Sequence, residues 1–205
     1  MFYRTQDGHN LRRDPFNAIV VPRPIGWISS VDTAGNVNLA PYSFFNAVAY
    51  SPPQVMFAAT GGHRHGGKKD SIRNAEDTGE FVVNLATWDL REQMNASAVP
   101  APSDVNEFEF CGLTEAPSKL VKAPRVAESP IHLECIYTQT VDLPSTDEDG
   151  ANTVVFGEVI GVHISDLAIK DGLVDTVKLR PIGRLGYLDY TTVTDSFSMD
   201  RPTWP

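Results

Sequence analysis

The sequence predicts a mainly β protein, a barrel with a few short peripheral helices. Apolar and polar residues alternate with a period of two along most candidate elements, as in half-buried strands. Two long strand-like segments, 131–143 and 153–164, flank the polar, acidic connector 144–152, and long antiparallel strands joined in this way suit a barrel. The sequence has neither the strand–helix alternation of a parallel sheet nor a GxGxxG motif after its first strand, so a Rossmann dinucleotide site has no support.

The first half of the chain contains candidate strands separated by turn residues. Four strands are predicted here, at 25–32, 37–40, 46–50 and 55–60. The first two form a plausible hairpin, because residues 33–36 (TAGN) are turn formers and include a glycine. Pro52 and Pro53 mark a strand boundary, since proline cannot donate a hydrogen bond within a sheet.

Short helices and one more strand are expected in the middle of the chain. They are predicted at 70–78 (helix), 80–86 (strand), 87–98 (helix) and around 106–111 (helix), the last within the surface segment 100–122. For the first helix, Asp70 is the expected N-cap and Gly79 the expected C-terminal stop.

Composition and charge limit the class of protein. The 205 residues are 41% hydrophobic and 21% charged, which is ordinary for one globular domain, here taken as residues 1–205. The net charge of −9 argues against nucleic acid as the main partner. No run approaches the about 18 apolar residues that a membrane helix needs, and the segment Met1–Asn10 has no apolar signal region, so we expect a cytoplasmic protein that does not enter a membrane. Cys111 and Cys135 are too far apart for a redox pair or a zinc ribbon and are expected to be free, buried thiols.

One basic stretch stands out in this acidic chain. It contains four basic side chains within six residues, Arg64, His65, Lys68 and Lys69. The stretch has two glycines and precedes a helix that begins near Ser71, and a helix N-terminus beside lysine or arginine is an anion site. An exposed basic loop with a capped helix is the alternative. His63 and His65 have the spacing of two metal ligands but no cysteine or glutamate nearby, so no metal is expected.

A second segment mixes aromatic and polar side chains between residues 38 and 53. Tyr42, Phe44 and Phe45 are interleaved with Ser43 and Asn46. A planar heteroaromatic ligand needs this mixture, with apolar groups for the ring faces and hydroxyl, amide and backbone groups for the polar edge. Two barrel strands with aromatic core residues would give the same pattern, and that alternative stays open.

The sequence shows no catalytic set of its own. It lacks an HExxH motif and a Ser-His-Asp order. His132 and His163 lie within predicted strands and are interpreted as structural, and the acidic residues 147–149 are interpreted as a solvated loop. A cofactor that supplies the chemistry would explain this lack.

Taken in order, four segments resemble the flavin-reductase-like, FMN-binding split-barrel family. They are RPIGWISSV (23–31), NLAPYSFFNAVAYSPP (38–53), KKDSIRN followed by GEFVVNL (68–85), and PIGRLGYLDY (181–190). The resemblance covers about residues 15–190. It implies a Greek-key split barrel that binds flavin noncovalently and commonly forms a homodimer with each flavin near the interface.

The resemblance also implies positions for the cofactor-binding residues. Ser29 and Ser30 would face the ribityl phosphate or the ring edge. The polar edge of the flavin would be lined, partly through backbone groups, by Ala40, Tyr42, Ser43 and Asn46. The phosphate would meet Arg64, Lys69, Asp70 and Ser71. Arg184 and Tyr190 would close the site. Three departures from the family pattern are the run Ser43–Ala47, the glycine-rich loop His63–Lys68, and Tyr187, which stands where a second glycine is frequent.

The expected function is therefore that of an FMN-dependent reductase, with FAD as a possible substitute for FMN. Hydride would pass from NAD(P)H through the flavin to an acceptor, a free flavin or a monooxygenase partner. One alternative is a flavin-carrying or electron-transfer protein without nicotinamide activity. Another is a split barrel that has lost flavin and acts as an interaction module.

Overall fold

The structure, a computed structural model, describes residues 1–64, 66–146 and 150–204. The strands are β1 (Arg23–Pro24), β2 (Gly26–Val31), β3 (Val37–Tyr42), β4 (Phe44–Tyr50), β5 (Pro53–Thr60), β6 (Glu80–Leu85), β7 (Glu115–Ala116), β8 (Arg125–Val126), β9 (Ile131–Leu143), β10 (Asn152–Ile164), β11 (Ile169–Lys170), β12 (Leu173–Val174), β13 (Ile182–Arg184) and β14 (Tyr190–Thr192). The helices are α1 (Phe16–Ile19), α2 (Asp70–Thr78), α3 (Arg91–Ala96), α4 (Glu107–Cys111) and α5 (Thr176–Leu179).

Seven strands form one antiparallel sheet in the order β3-β2-β6-β9-β10-β5-β4. Its two edge strands, β3 and β4, are consecutive in the chain and are separated by Ser43 alone. A flat sheet of this width would hold its edges about 29 Å apart. The sheet therefore curls until the edges meet at Ser43, and the order β5-β10-β9-β6 is that of a Greek key. The predicted mainly β, Greek-key split barrel with short helices is confirmed.

Two apolar clusters pack on opposite sides of the curled sheet. The interior of the barrel contains Ile28, Phe57, Phe81 and Val155, whereas α3 and α4 cover a second cluster that includes Trp27, Leu39, Met94 and Phe108. Trp27 and Ile28 are neighbours in β2 and enter different clusters, as the strand pleat requires. Gly157 leaves room for the Phe81 ring, since a Cβ there would lie 2.5 Å from Cζ of Phe81.

Local predictions were correct for most elements. The hairpin of β2 and β3 is present, and the Asp32 carboxylate organises its turn by accepting from the backbone N–H groups of Ala34 and Asn36, each at 2.8 Å. Residues 87–98 were predicted as one helix, but the structure has a 3-10 turn at Trp88–Leu90 followed by α3. The predicted acidic loop 147–149 lies outside the described residues.

The start of α2 corrects a second prediction. Gly79 ends the helix in the left-handed conformation, as expected. Lys69, not Asp70, occupies the N-cap position, without a side-chain cap. The Asp70 carboxylate does not cap the helix because it bonds with Arg73, His63 and Ser103 instead.

A small sheet closes one end of the barrel. Its order is β1-β13-β14, and the pairing sets Arg23 opposite Arg184. The predicted free thiols are free, with Cys135 buried and Cys111 half-buried. Across the described ranges, no helix has the length and hydropathy needed to cross a membrane.

Candidate functional site

Two adjoining clefts lie where the barrel edges meet. The first, which we call the arginine cleft, has a volume of about 420 Å³ and extends over the end of β3, the start of β4 and the end of β5. The second, the loop cleft, has a volume of about 380 Å³ and lies between β3, residues 62–64 and residues 97–101. Pro41, Tyr42 and Lys69 line both clefts. We call the two together the split groove.

The arginine cleft is strongly cationic. Among the described residues it is lined by four permanently charged bases and one carboxylate, namely Arg13, Arg23, Lys69, Arg184 and Asp14. The whole chain carries a net charge of −9, so this local excess is opposite in sign to the rest of the protein. Four cations that line one cleft repel one another, and a bound anion would relieve this repulsion. The cleft therefore favours an anionic ligand.

Arg23 forms the buried base of this cleft. Its side chain donates to the backbone oxygens of Asn17 and Val20, both at 2.6 Å, and of Leu185 at 3.1 Å. The residue is only 8% exposed, and its Nε has no hydrogen-bond partner in the described part of the chain. Burial and, to a smaller degree, the charge of Arg184 lower the pKa of Arg23. A bound anion would relieve both effects.

Tyr42 separates the two clefts. Its ring packs against Phe57 with a centroid distance of 5.0 Å, and its hydroxyl bonds with the Ser71 hydroxyl. Burial raises the pKa of Tyr42 to about 12, so the phenol is neutral at physiological pH. The side chain therefore offers an apolar ring wall with a neutral polar tip.

Lys69 is the basic residue best placed to meet a ligand. It is half-buried, lines both clefts and stands directly before α2. Its ammonium has no hydrogen bond or ion pair with any other described residue, whereas neighbouring Lys68 is exposed and pairs with Glu76. The first N–H groups of α2, those of Asp70 and Ser71, have no acceptor within the helix. The positive charge of Lys69 and the first backbone N–H groups of α2 therefore lie next to each other at the start of the helix.

The side chains of Asp70 and Ser71 are oriented differently from the sequence expectation. The Asp70 carboxylate lies against Arg73, the Ser103 hydroxyl at 2.8 Å and His63 Nε2 at 3.3 Å. The Ser71 hydroxyl is fully buried and accepts from Asn38 Nδ2 at 2.8 Å. Both side chains are occupied within the protein. Asp70 lines the loop cleft, whereas Ser71 lines neither cleft, so the expectation that the Ser71 side chain meets a ligand is corrected.

Ser29 and Ser30 have no exposed surface. The Ser29 hydroxyl donates to the backbone oxygen of Pro124 at 2.5 Å and accepts from Asn84 at 3.0 Å. Ser30 accepts from Asn74 at 3.1 Å. These hydroxyls form an internal network and line neither cleft, so the expectation that they face a ligand is corrected.

The other predicted residues divide between the groove and the outer surface. Ser43 and Arg184 line the arginine cleft, and Ala40 and Arg64 line the loop cleft. Asn46 is exposed on β4, lines neither cleft, and its side-chain oxygen accepts from the backbone of Ala47. Tyr190 stacks beneath Arg184 at 4.5 Å but does not line the groove.

Some lining residues were not predicted. Arg13, Asn17 and Thr60 line the arginine cleft, and so do Arg23 and Tyr187, which were noted only as parts of motifs. One sequence signal was present, since RPIG occurs at 23–26 and again at 180–183. The first copy contains β1, and the second leads into β13, its partner.

The loop cleft contains a buried glutamate and a histidine. Glu107 is buried there and accepts from the backbone N–H of Leu39 at 3.0 Å, and burial raises its pKa. His63 lines the same cleft beside Asp70. Among the described residues, no group of three or more His, Cys, Asp or Glu side chains could hold a metal ion, and His65 lies outside those residues.

Comparison with solved structures identifies the same fold. Nitrilotriacetate monooxygenase component B from Bacillus cereus is 28% identical, with a TM-score of 0.82 over 94% of this chain and 100% of that one. Pseudomonas fluorescens 2-nitrobenzoate 2-nitroreductase NbaA is 27% identical, with a TM-score of 0.84 over 100% and 98%. A Shewanella frigidimarina structure described as having a split barrel domain is 23% identical, with a TM-score of 0.75 over 92% and 89%.

The comparison with protein families agrees with the geometry. The flavin reductase like domain matches residues 18–179, which include every strand of the seven-stranded sheet and most of the split groove. The second RPIG motif and Arg184 follow the matched span. With a curled antiparallel barrel, a cationic groove at its split and a match over most of its length, the chain belongs to the flavin reductase like domain family.

Proposed function

We propose that this protein is an FMN-dependent oxidoreductase that takes hydride from NAD(P)H and passes electrons to an acceptor or to free flavin. The main support is the arginine cleft, where four permanent cations face one carboxylate in an acidic protein. The cleft volumes of about 420 and 380 Å³ also fall in the range of about 300–1,000 Å³ common for ligand sites.

The residues of the split groove fit a flavin phosphate. Lys69 offers an ammonium without a partner among the described residues, next to the first backbone N–H of α2, and a phosphate accepts strongly from both. The guanidinium of Arg23 at the base of the cleft adds a further positive charge. FMN is favoured over FAD as the resident group because a terminal phosphate dianion needs this concentration of positive charge, although FAD shares the ring.

The chain's own residues would bind and orient the cofactor. Lys69 and the backbone N–H of Asp70 would hold the phosphate. Tyr42, with its neutral hydroxyl, would support the ring beside Ser43 and Ala40, and Arg184 would close the cleft. The flavin supplies hydride and electron transfer when bound, and the protein supplies position and the exclusion of water. Glu107 is a buried carboxyl of the loop cleft whose pKa is raised by burial, so it would be the group to hold a proton there.

Relatives suggest the type of acceptor. Similarity to a monooxygenase component B supports a partner that uses reduced flavin, and similarity to a 2-nitrobenzoate 2-nitroreductase supports direct reduction of a bound acceptor. We propose the reductase role in the cytoplasm, where NAD(P)H is available.

A homodimer is part of this proposal. The sheet presents exposed apolar side chains on three strands, including Val48 and Tyr50 of β4, Ile136 of β9, and Ile160 and Val162 of β10. Tyr50 is 97% exposed in the single chain. Burial of part of this surface against a second copy would explain its exposure in the single chain. Sedimentation equilibrium should give twice the chain mass, and a monomer would refute this part.

The experiment that tests the function is a visible spectrum of the purified protein, with FMN added if none is bound, followed by anaerobic addition of NADH and then NADPH. Bleaching of the flavin band supports the reductase. A bound flavin that neither nucleotide reduces would favour the carrier role, and failure to bind FMN would refute the proposal.

Lys69→Ala tests the phosphate contact. We expect FMN affinity to fall by about 1–3 kcal/mol, because one charge-assisted hydrogen bond is lost. Lys68→Ala is the matched control, since Lys68 has the same charge but lies outside both clefts and pairs with Glu76. Equal losses in the two variants would mean that only the charge of the loop matters.

A further inference from the structure

A third cleft lies at the far end of β10 from the split groove. Its volume is about 420 Å³, and its polar lining includes Lys119, Arg125, Ser129, His132, His163 and Ser165. We call it the distal cleft. β10 begins at Asn152, opposite Thr60 in the arginine cleft, and reaches the distal cleft at His163. A straight strand of this length extends about 40 Å, so the distal cleft is not a part of the split groove.

The lining of the distal cleft is cationic. It includes two permanent positive charges, Lys119 and Arg125, and no carboxylate among the described lining residues. The protein has 26 acidic and 17 basic side chains, so a cleft without a carboxylate is unexpected for its composition. Lys119 is exposed, and its ammonium forms no hydrogen bond or ion pair within the described ranges.

Arg125 is fixed at the wall of the cleft. Its Nε and Nη2 donate to the backbone oxygen of Pro117 at 3.2 and 3.0 Å, and its Nη1 approaches Nδ1 of His132 at 3.4 Å. His132 is itself buried and donates from Nε2 to the backbone oxygen of Val126 at 2.8 Å. The remaining N–H of Nη1 is therefore already held in place. Arg125 would lose little conformational freedom when a ligand binds, so the free-energy cost of ordering its side chain is small.

The buried carboxylate of Glu134 lies behind the cleft and positions two of its lining residues, Lys119 and His163. Glu134 is fully buried and accepts from the backbone N–H groups of Lys119 at 2.8 Å, Leu120 at 2.6 Å and Val121 at 3.2 Å. The same carboxylate bonds with His163 Nε2. This contact occupies Nε2 and leaves Nδ1 as the ring nitrogen of His163 without a hydrogen bond to a described residue. Glu134 thus fixes both the loop that presents Lys119 and the ring of His163.

We propose that the distal cleft binds a small phosphate anion, with Lys119 Nζ and Arg125 Nη1 as donors and His163 Nδ1 as an acceptor for the hydroxyl of the phosphate. Two cationic donors and one ring acceptor, in a cleft without a carboxylate among its described lining residues, suit a hydrogen phosphate, which accepts and donates in several directions at once. Inorganic phosphate and the phosphate of a small monoester share this chemistry. The proposal does not depend on the flavin function, because none of these residues lines the split groove.

The test is a titration of the full-length protein, saturated with FMN, with inorganic phosphate at constant ionic strength, followed by ¹⁵N–¹H NMR. We expect saturable shifts at the amides of Lys119, Leu120 and Val121 and at the ring of His163. Lys119→Met should weaken this binding about tenfold, which corresponds to one charge-assisted hydrogen bond. Lys122→Met is the matched control, an exposed lysine of the same loop that does not line the cleft, and it should leave the affinity unchanged.

Several outcomes would overturn the proposal. They are shifts that do not saturate, shifts confined to the split groove, equal effects of the two lysine variants, and an equal affinity for acetate. A parallel titration with methyl phosphate separates the two sources of phosphate. Binding of both supports a site for phosphate monoesters, and binding of inorganic phosphate alone supports a site for the free anion.

Discussion

Two sets of polar residues lie close together in this protein but differ in what satisfies them. Inside the sheet, Ser29, Ser30 and Asn84 are fully buried and bond with one another or with other protein groups. In the split groove, Lys69 and the Nε of Arg23 have no partner among the described residues. The first set stabilises the barrel, and the second is left for a ligand. Residue type alone does not distinguish the two sets, but the presence or absence of a hydrogen-bond partner within the protein does.

The largest effect is expected at Asn84. Its Nδ2 donates to the backbone oxygen of Trp27 and to Ser29, both at 3.0 Å, and its Oδ1 accepts from Val126 at 2.8 Å. Asn84→Ala leaves these buried groups unpaired, so we expect a loss of about 3–5 kcal/mol in the free energy of unfolding, measured in urea. Asn46→Ala, on the exposed strand β4, should stay within about 0.5 kcal/mol. A small loss at Asn84 would remove the distinction between the two sets.

The pH dependence of stability provides the next test. Burial, followed by the charges of Arg125 and His163, lowers the pKa of His132 to about 4, against an ordinary value near 6.5. The unfolded chain therefore takes up the proton first. Stability from this group is complete above about pH 6.5 and is lost as the pH falls toward 4, by about 3 kcal/mol in all.

His132→Gln isolates that contribution, because glutamine keeps a donor and an acceptor but does not titrate. Urea unfolding at several pH values should show a shallower loss of stability between pH 6.5 and 4 in the variant. The pKa of Glu134 is lowered by its hydrogen bonds to His163 and backbone amides, although burial alone would raise it. Its contribution to the free energy of unfolding therefore also falls as the pH falls, and it does so in both proteins. Parallel curves for the two proteins would contradict the assignment to His132.

Local signals in the sequence predicted most of the fold and part of the site. The hairpin of β2 and β3 could be predicted because its turn residues are local, and Lys69 because it precedes a short helix. Ser29 and Ser30 were misassigned because both faces of β2 are buried, so alternation does not tell which side faces a ligand. Arg23 could not be assigned because its contact with Leu185 joins positions 162 residues apart. Only the folded chain brings those segments together.

The smallest effect, at Ser29, separates the two sets most directly. Ser29→Ala removes one donor and one acceptor from the internal network, so we expect a loss of about 1–2 kcal/mol in the free energy of unfolding. Its FMN affinity should stay within about twofold of the unmodified protein, a difference of less than about 0.5 kcal/mol. Ser43→Ala should lower the FMN affinity and leave the free energy of unfolding nearly unchanged. Ser43 lines the arginine cleft and forms no side-chain hydrogen bond with another described residue. A Ser29 variant that kept its stability but lost FMN affinity would return this serine to the flavin site, because a hydroxyl that serves only the barrel cannot change binding without changing folding.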